Sequence, residues 1–173
     1  MKEFNFKDCI REIPDFPKPG ILFYDVTTLF KNKEAFNHAI DLLAEEFKNK
    51  KIDIVVATEA RGFILGGALA YKLGAGFVPA RKKGKLPWKF KSVSYGLEYG
   101  TDTLQMHEDA FGPEDNVLIV DDLLATGGTV KATVELVKHL NGKITGIAFL
   151  IELVDLKGRD KLKDYPVFSL IKY

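Results

Sequence analysis

The sequence predicts an α/β fold, a mostly parallel, twisted sheet flanked by helices. Three observations carry that expectation. Short, largely apolar and β-branched runs at residues 52–57, 76–80, 117–120 and 143–151 read as strands buried on both faces, which is how parallel strands read. Apolar residues at helical spacing fill the intervals, so strands alternate with helices. Small-residue loops stand where strand gives way to helix, the edge at which open α/β sheets bind ligands.

Composition narrows the class. The chain has 173 residues, enough for one domain with a single core, and residues 1–173 are read as that domain. Hydrophobic residues make up 46% and charged residues 28%, the ordinary globular range. A net charge of +1 gives no broad field toward nucleic acid or an anionic membrane, so neither is expected as a partner. No apolar run is long enough to span a bilayer, and residues 1–8 contain no apolar h-region. Cys9 is the single cysteine, which excludes an internal disulfide; a cytoplasmic setting is expected. No metal-ligand spacing joins Cys9 to His38, His107 and His139, and neither a Gly-x-Ser-x-Gly nor a Walker A sequence occurs.

The elements follow in order. Residues 1–28 are rich in proline and read as irregular; Phe16-Pro17-Lys18-Pro19-Gly20-Ile21 is stiff, with a turn at Gly20. Residues 32–50 form an amphipathic helix whose buried stripe is Phe36, Ile40, Leu43 and Phe47; His38 falls off the stripe and is expected in solvent. The strand at 52–57 ends in Thr58-Glu59-Ala60-Arg61-Gly62, and a helix runs on through Leu73. Gly66 and Gly67 weaken that helix and are expected to allow close packing on the sheet. The strand at 76–80 leads into Arg81-Lys82-Lys83-Gly84-Lys85, cations at the same sheet edge and suited to a polyphosphate. Residues 87–106 show no strong period. A long loop of this kind, with Trp88, Phe90, Tyr95 and Tyr99, reads as a lid. A strand at 143–151 closes the core, and residues 154–173 should give a short helix and an edge strand.

The chain is organised around residues 117–129, Val-Leu-Ile-Val-Asp-Asp-Leu-Leu-Ala-Thr-Gly-Gly-Thr. Two acids, Asp121 and Asp122, arrive together at the end of the strand. A loop of Ala125, Thr126, Gly127, Gly128 and Thr129 follows, then a helix carrying Val130, Val134, Val137 and Leu140. Glycines let the backbone approach an anion, and the first amides of a helix are unsatisfied donors. Carboxylates repel a phosphate but accept hydrogen bonds from vicinal hydroxyls. The stretch therefore reads as a cradle for a sugar phosphate.

Val-Asp-Asp-Leu-Leu-Ala-Thr-Gly-Gly-Thr resembles the signature of the type I phosphoribosyltransferases, and its Leu-Leu-Ala-Thr form is similar to that of the adenine-using members. The resemblance implies a Rossmann-like core with an amino-terminal base-binding hood at about residues 1–30 and a mobile lid at about 84–106. It implies transfer of ribose 5-phosphate from phosphoribosyl pyrophosphate to N9 of adenine, giving AMP and pyrophosphate. Ala125 to Thr129 would hold the 5-phosphate, and Asp121 and Asp122 the ribose hydroxyls. The Glu-Ala-Arg-Gly-Phe and Arg-Lys-Lys-Gly-Lys-Leu-Pro blocks resemble pyrophosphate-binding segments, which assigns that role to Ala60, Arg61, Gly62, Arg81, Lys82 and Lys85. Phe-Pro-x-Pro-Gly-Ile is similar to the hood, with Leu22 on the adenine edge through its backbone and Phe23 and Tyr24 nearby. Glu98 matches the lid's general acid/base. Mg²⁺ is expected, held by substrate phosphates with no protein cage, and so is a homodimer. Two alternatives stand beside this reading. One keeps the chemistry with hypoxanthine, guanine, xanthine or a pyrimidine as the base; the other is a purine-sensing regulator without turnover.

Overall fold

The computed structural model describes residues 4–97, 100–112 and 114–173. After a one-turn 3-10 helix at Phe6–Cys9, β1 (Arg11–Pro14) and β2 (Leu22–Asp25) pair antiparallel as a small separate sheet. The short α1 (Thr27–Lys31) leads to α2 (Lys33–Phe47). There the Asn32 side chain caps the helix, accepting from the Glu34 and Ala35 amides at 3.1 Å. Next come β3 (Ile54–Thr58), α3 (Gly62–Leu73), β4 (Gly76–Lys82), β5 (Phe90–Leu97), β6 (Gly100–His107), β7 (Asn116–Leu124), α4 (Gly128–His139) and β8 (Lys143–Glu152). Two further 3-10 turns, Val154–Leu156 and Gly158–Leu162, precede β9 (Val167–Lys172).

The main sheet has seven strands in the order β5-β6-β4-β3-β7-β8-β9. The pairs β3–β4, β3–β7, β7–β8 and β8–β9 are parallel, while β5–β6 and β4–β6 are antiparallel. Each face is covered. Leu118 and Val120 join Leu43, Phe47, Leu65 and Leu69 of α2 and α3 in one core. Val117 and Ile119 join Val130, Val134 and Val137 of α4 in another. Alternate side chains of one strand thus feed two cores, which is why that strand is apolar throughout. The order reverses between β3 and β7, so the sheet has its switch point there.

The structure departs from expectation in five places. The amino-terminal stretch is ordered into the β1–β2 hairpin rather than irregular. The segment expected as a lid loop is mostly a hairpin, with Val93 opposite Leu104 on its inner face and Ser92–Gln105 and Ser94–Thr103 on its outer face. Both strands in fact alternate, Ser92-Val93-Ser94-Tyr95 and Thr103-Leu104-Gln105-Met106, a strand signal that the loop reading passed over. The acid pair does not end its strand, because β7 runs on to Leu124. Gly66 packs on the sheet, where a Cβ would come within 2.5 Å of Ala57 Cβ, but Gly67 faces open space. His38 is exposed yet stacked on Phe6, ring centroids 5.3 Å apart and planes 14° from parallel.

Candidate active site

Strand lengths create the site. β3 pairs with β7 only from Ile54–Val117 to Ala57–Val120. Past Val120, β7 continues against β8 alone, with Leu123 opposite Ile151 and Leu124 opposite Glu152. The β3 side of Asp121 to Leu124 is therefore an unpaired strand edge at the switch point. The loop after β3 and the loop after β7 border it, enclosing a cavity of about 320 Å³.

The acids form one wall. Asp121 Oδ1 accepts the Asp122 backbone N–H at 2.9 Å. It also lies over the start of α3, where a Cβ on Gly62 would come within 2.7 Å of it. A side chain at position 62 would push that carboxylate away, so Gly62 serves the acid pair. Asp122 is buried, and its Oδ2 lies 2.8 Å from Arg61 Nε without meeting hydrogen-bond geometry. Burial raises the Asp121 carboxyl well above the usual range, and the neighbouring Asp122 charge raises it further. Burial raises Asp122 as well, with Arg61 opposing.

The phosphate loop forms the second wall. Gly127 adopts φ 79°, and a Cβ there would also meet the Gly158 carbonyl oxygen at 2.7 Å. No side chain caps α4, whose first turn opens on the cavity through Gly128 and Thr129. Those amides have no intrahelical acceptor, so they suit an anion. Tyr95 of β5 covers the loop and donates its hydroxyl to Asp102 at 3.3 Å; Asp102 also pairs with Lys82 Nζ at 3.2 Å.

The third wall is cationic. Lys82 lines the cavity. Arg81 and Lys85 gather on Glu59, which lies beside Ala60 across a cis peptide bond. Burial pushes the Glu59 carboxyl up, but hydrogen bonds from Lys85, the Lys82 amide and Arg81 outweigh it and leave it below its ordinary value.

The structure thus brings Asp121, Asp122, Ala60, Arg61, Lys82 and the whole 125–129 loop to one cavity. Gly62, Arg81 and Lys85 do not line it, but each is one contact away: Gly62 lies against Asp121, and Arg81 and Lys85 pair with Glu59, which does line it. The hood is less convergent. Phe23 reaches the rim, its ring 5.2 Å from the Arg61 guanidinium. Tyr24 turns instead to the ring of Tyr173, 4.1 Å away, and Leu22 is 42% exposed. Glu98 lies outside the described residues. Sequence reasoning assigned no role to Glu59, Asp102 or Gly158. Glu59 left one signal, a lone acid beside two cationic blocks; Gly158 left none, since only the fold brings it to the loop.

An acid pair, a glycine-turned loop and a cationic flank at the switch point of a parallel sheet have the donors and acceptors that suit a sugar phosphate. The phosphoribosyl transferase domain family matches residues 25–173, and the chain belongs to that family. Within it, the relatives are adenine phosphoribosyltransferases. That of Acidobacterium capsulatum is 58% identical over 167 residues, 96% of this chain and 92% of the relative. The crystal structure of the enzyme from Thermoanaerobacter pseudethanolicus superposes with a TM-score of 0.94 at 54% identity, covering 97% of this chain and 98% of that one. The Saccharomyces cerevisiae enzyme, solved with an imino-altritol bisphosphate and adenine, gives 0.90 at 44% identity, covering 95% and 96%.

Proposed function

We propose that this chain is an adenine phosphoribosyltransferase, transferring ribose 5-phosphate from phosphoribosyl pyrophosphate to N9 of adenine with release of pyrophosphate. The observation that carries the reading is the convergence of acids, loop amides and cations on one cavity of about 320 Å³. The adenine bound in the yeast relative supports the choice of base.

In this reading the amides and hydroxyls from Ala125 to Thr129 hold the 5-phosphate. Asp121 and Asp122 accept from the ribose hydroxyls and favour the positive charge that grows on the ring as the C1–O bond breaks. Arg61 favours the anionic form of Asp122 against the effect of burial. Lys82, Arg81 and Lys85 face the departing pyrophosphate. Leu22 and Phe23 receive the base. Glu98 exchanges a proton with it as the general acid/base. The donor chemistry fits Mg²⁺: carboxylates on one wall and phosphate-binding cations on the other suit an ion that keeps its waters and rides on substrate phosphates. When bound, it would neutralise charge on the leaving pyrophosphate. A homodimer and a cytoplasmic setting belong to the same proposal; the free Cys9 is in keeping with the latter.

The test is an assay of adenine, hypoxanthine, guanine, xanthine and uracil, each with phosphoribosyl pyrophosphate and Mg²⁺, with products read by mass spectrometry. AMP from adenine is expected. Product from hypoxanthine but not adenine would reassign the base, and binding without any product would make the chain a sensor.

A further inference from the structure

The two segments expected to meet pyrophosphate, residues 58–62 and 81–85, are joined by a single carboxylate. Glu59 Oε2 accepts from Arg81 Nε at 3.2 Å and from the Lys82 backbone N–H at 3.0 Å. Its Oε1 lies 3.0 Å from Lys85 Nζ. Arg81 Nη1 in turn donates to the Lys85 carbonyl at 3.2 Å, so the two cations are also tied to each other. The backbone of Glu59 is fixed by its N–H on the Ala80 carbonyl at 3.0 Å. Only 9% of the Glu59 side chain is exposed, against 33% of Arg81 and 52% of Lys85. A rigid, buried anion therefore anchors two long side chains that would otherwise range through solvent.

We propose that Glu59 is a positioning residue, which presets Arg81 and Lys85 as one cationic pair for the pyrophosphate end of the substrate. The proposal rests on the functional reading above. Two effects of opposite sign meet here. The carboxylate lowers the positive potential that an incoming pyrophosphate feels, so charge alone would make its removal tighten binding. It also orders both cations beforehand, so its removal would charge their ordering to the binding step. The cationic heads are a third to a half exposed, where water and salt weaken the first effect. Ordering therefore wins.

The experiment compares wild type with Glu59→Gln, Glu59→Asp, Lys85→Met and the Glu59→Gln/Lys85→Met double variant. KM is measured for both substrates, and pyrophosphate alone is titrated by calorimetry. Glu59→Gln is expected to weaken pyrophosphate and raise KM for phosphoribosyl pyrophosphate about tenfold, leaving KM for adenine in place. Glu59→Asp keeps the charge but shortens the reach, and is expected to lose as much. The double variant should lose less than the product of the two single losses, because Glu59 acts partly through Lys85. Unchanged or tighter pyrophosphate binding in Glu59→Gln, wild-type values in Glu59→Asp, or a multiplicative double loss would each overturn the proposal. If Glu59→Gln does not fold, Glu59→Asp decides. A wild-type protein with no turnover would sink the functional reading instead, and the pyrophosphate titration would still judge Glu59.

Discussion

Asp122 is the residue on which charge matters most. It is buried, and Arg61 Nε lies 2.8 Å from its Oδ2, from a side chain 35% exposed. An Asp122→Asn substitution keeps the shape and removes the charge that would oppose a developing cation on the ribose ring. Turnover should fall roughly 10²–10³-fold, the range seen when one preorganised electrostatic group is lost. The fold should survive, because the freed Arg61 can turn to water. Circular dichroism and steady-state rates check both halves, and wild-type turnover would remove Asp122 from the mechanism. The pair also sets a pH limit. Both carboxyls are raised by burial, so they take up protons at higher pH than ordinary aspartates do. Acidification should therefore cut kcat at a pH above the usual carboxylate range. Arg61 opposes that rise, so Arg61→Met should move the limb further up.

At the scale of elements, the phosphate loop depends on a neighbour far away in sequence. Gly158 lies under it, and a Cβ there would clash with the Ala125 carbonyl oxygen, meet the Gly127 amide at 3.0 Å and Leu124 Cδ1 at 2.9 Å. Two of those neighbours are backbone and cannot rotate away. Gly158→Ala should thus displace the loop, cost about 1–3 kcal/mol as overpacking does, and raise KM for phosphoribosyl pyrophosphate more than for adenine. Thermal unfolding and the two KM values test this; equal KM changes would mean that the loop had not moved. The contrast between this loop and its support explains what could be read beforehand. Residues 117–129 carry strand, acids, glycines and helix in one run, and local pattern alone specifies them. Gly158 acts through a tertiary contact that no local pattern encodes. The hairpin of β5 and β6 was legible but passed over: Ser92-Val93-Ser94-Tyr95 and Thr103-Leu104-Gln105-Met106 alternate, with Val93, Leu104 and Met106 buried, while the lysines and glycines around them drew the loop reading. Glu59 was visible as a residue but not as a hub, since its partners come from the next strand.

At the scale of the whole molecule, stability and assembly are decided away from the cavity. The end of β8 is tied by Glu152, which accepts from Arg159 Nε at 2.9 Å and Nη2 at 2.5 Å while Arg159 also donates to the Val167 carbonyl. The Arg159 hydrogen bonds pull the Glu152 carboxyl down to about 2. A depressed folded-state value means the pair stabilises above the unfolded carboxyl's range, about 4.3, and the benefit is lost as pH falls toward 2. Glu152→Gln should therefore be less stable near neutral pH by about 1–2 kcal/mol after allowing for the exposed side of Arg159, and should converge on wild type in strong acid. Urea titrations at several pH values would show the convergence; a constant gap would mean the loss is packing rather than charge. For the proposed homodimer, the outer face of α3 offers an interface. Ile64 and Tyr71 are seven residues apart on that helix, hence on one face, and are 47% and 90% exposed; Phe77 of β4 is 39% exposed. A monomer gains nothing by presenting a tyrosine almost wholly to water, whereas a second copy of the chain would bury it. Wild type should sediment at twice the 19.4 kDa chain mass, and Tyr71→Glu should shift it toward the monomer without unfolding it, because the side chain is 90% exposed. A wild-type monomer at micromolar concentration, or a Tyr71→Glu protein that stays dimeric, would move the interface elsewhere.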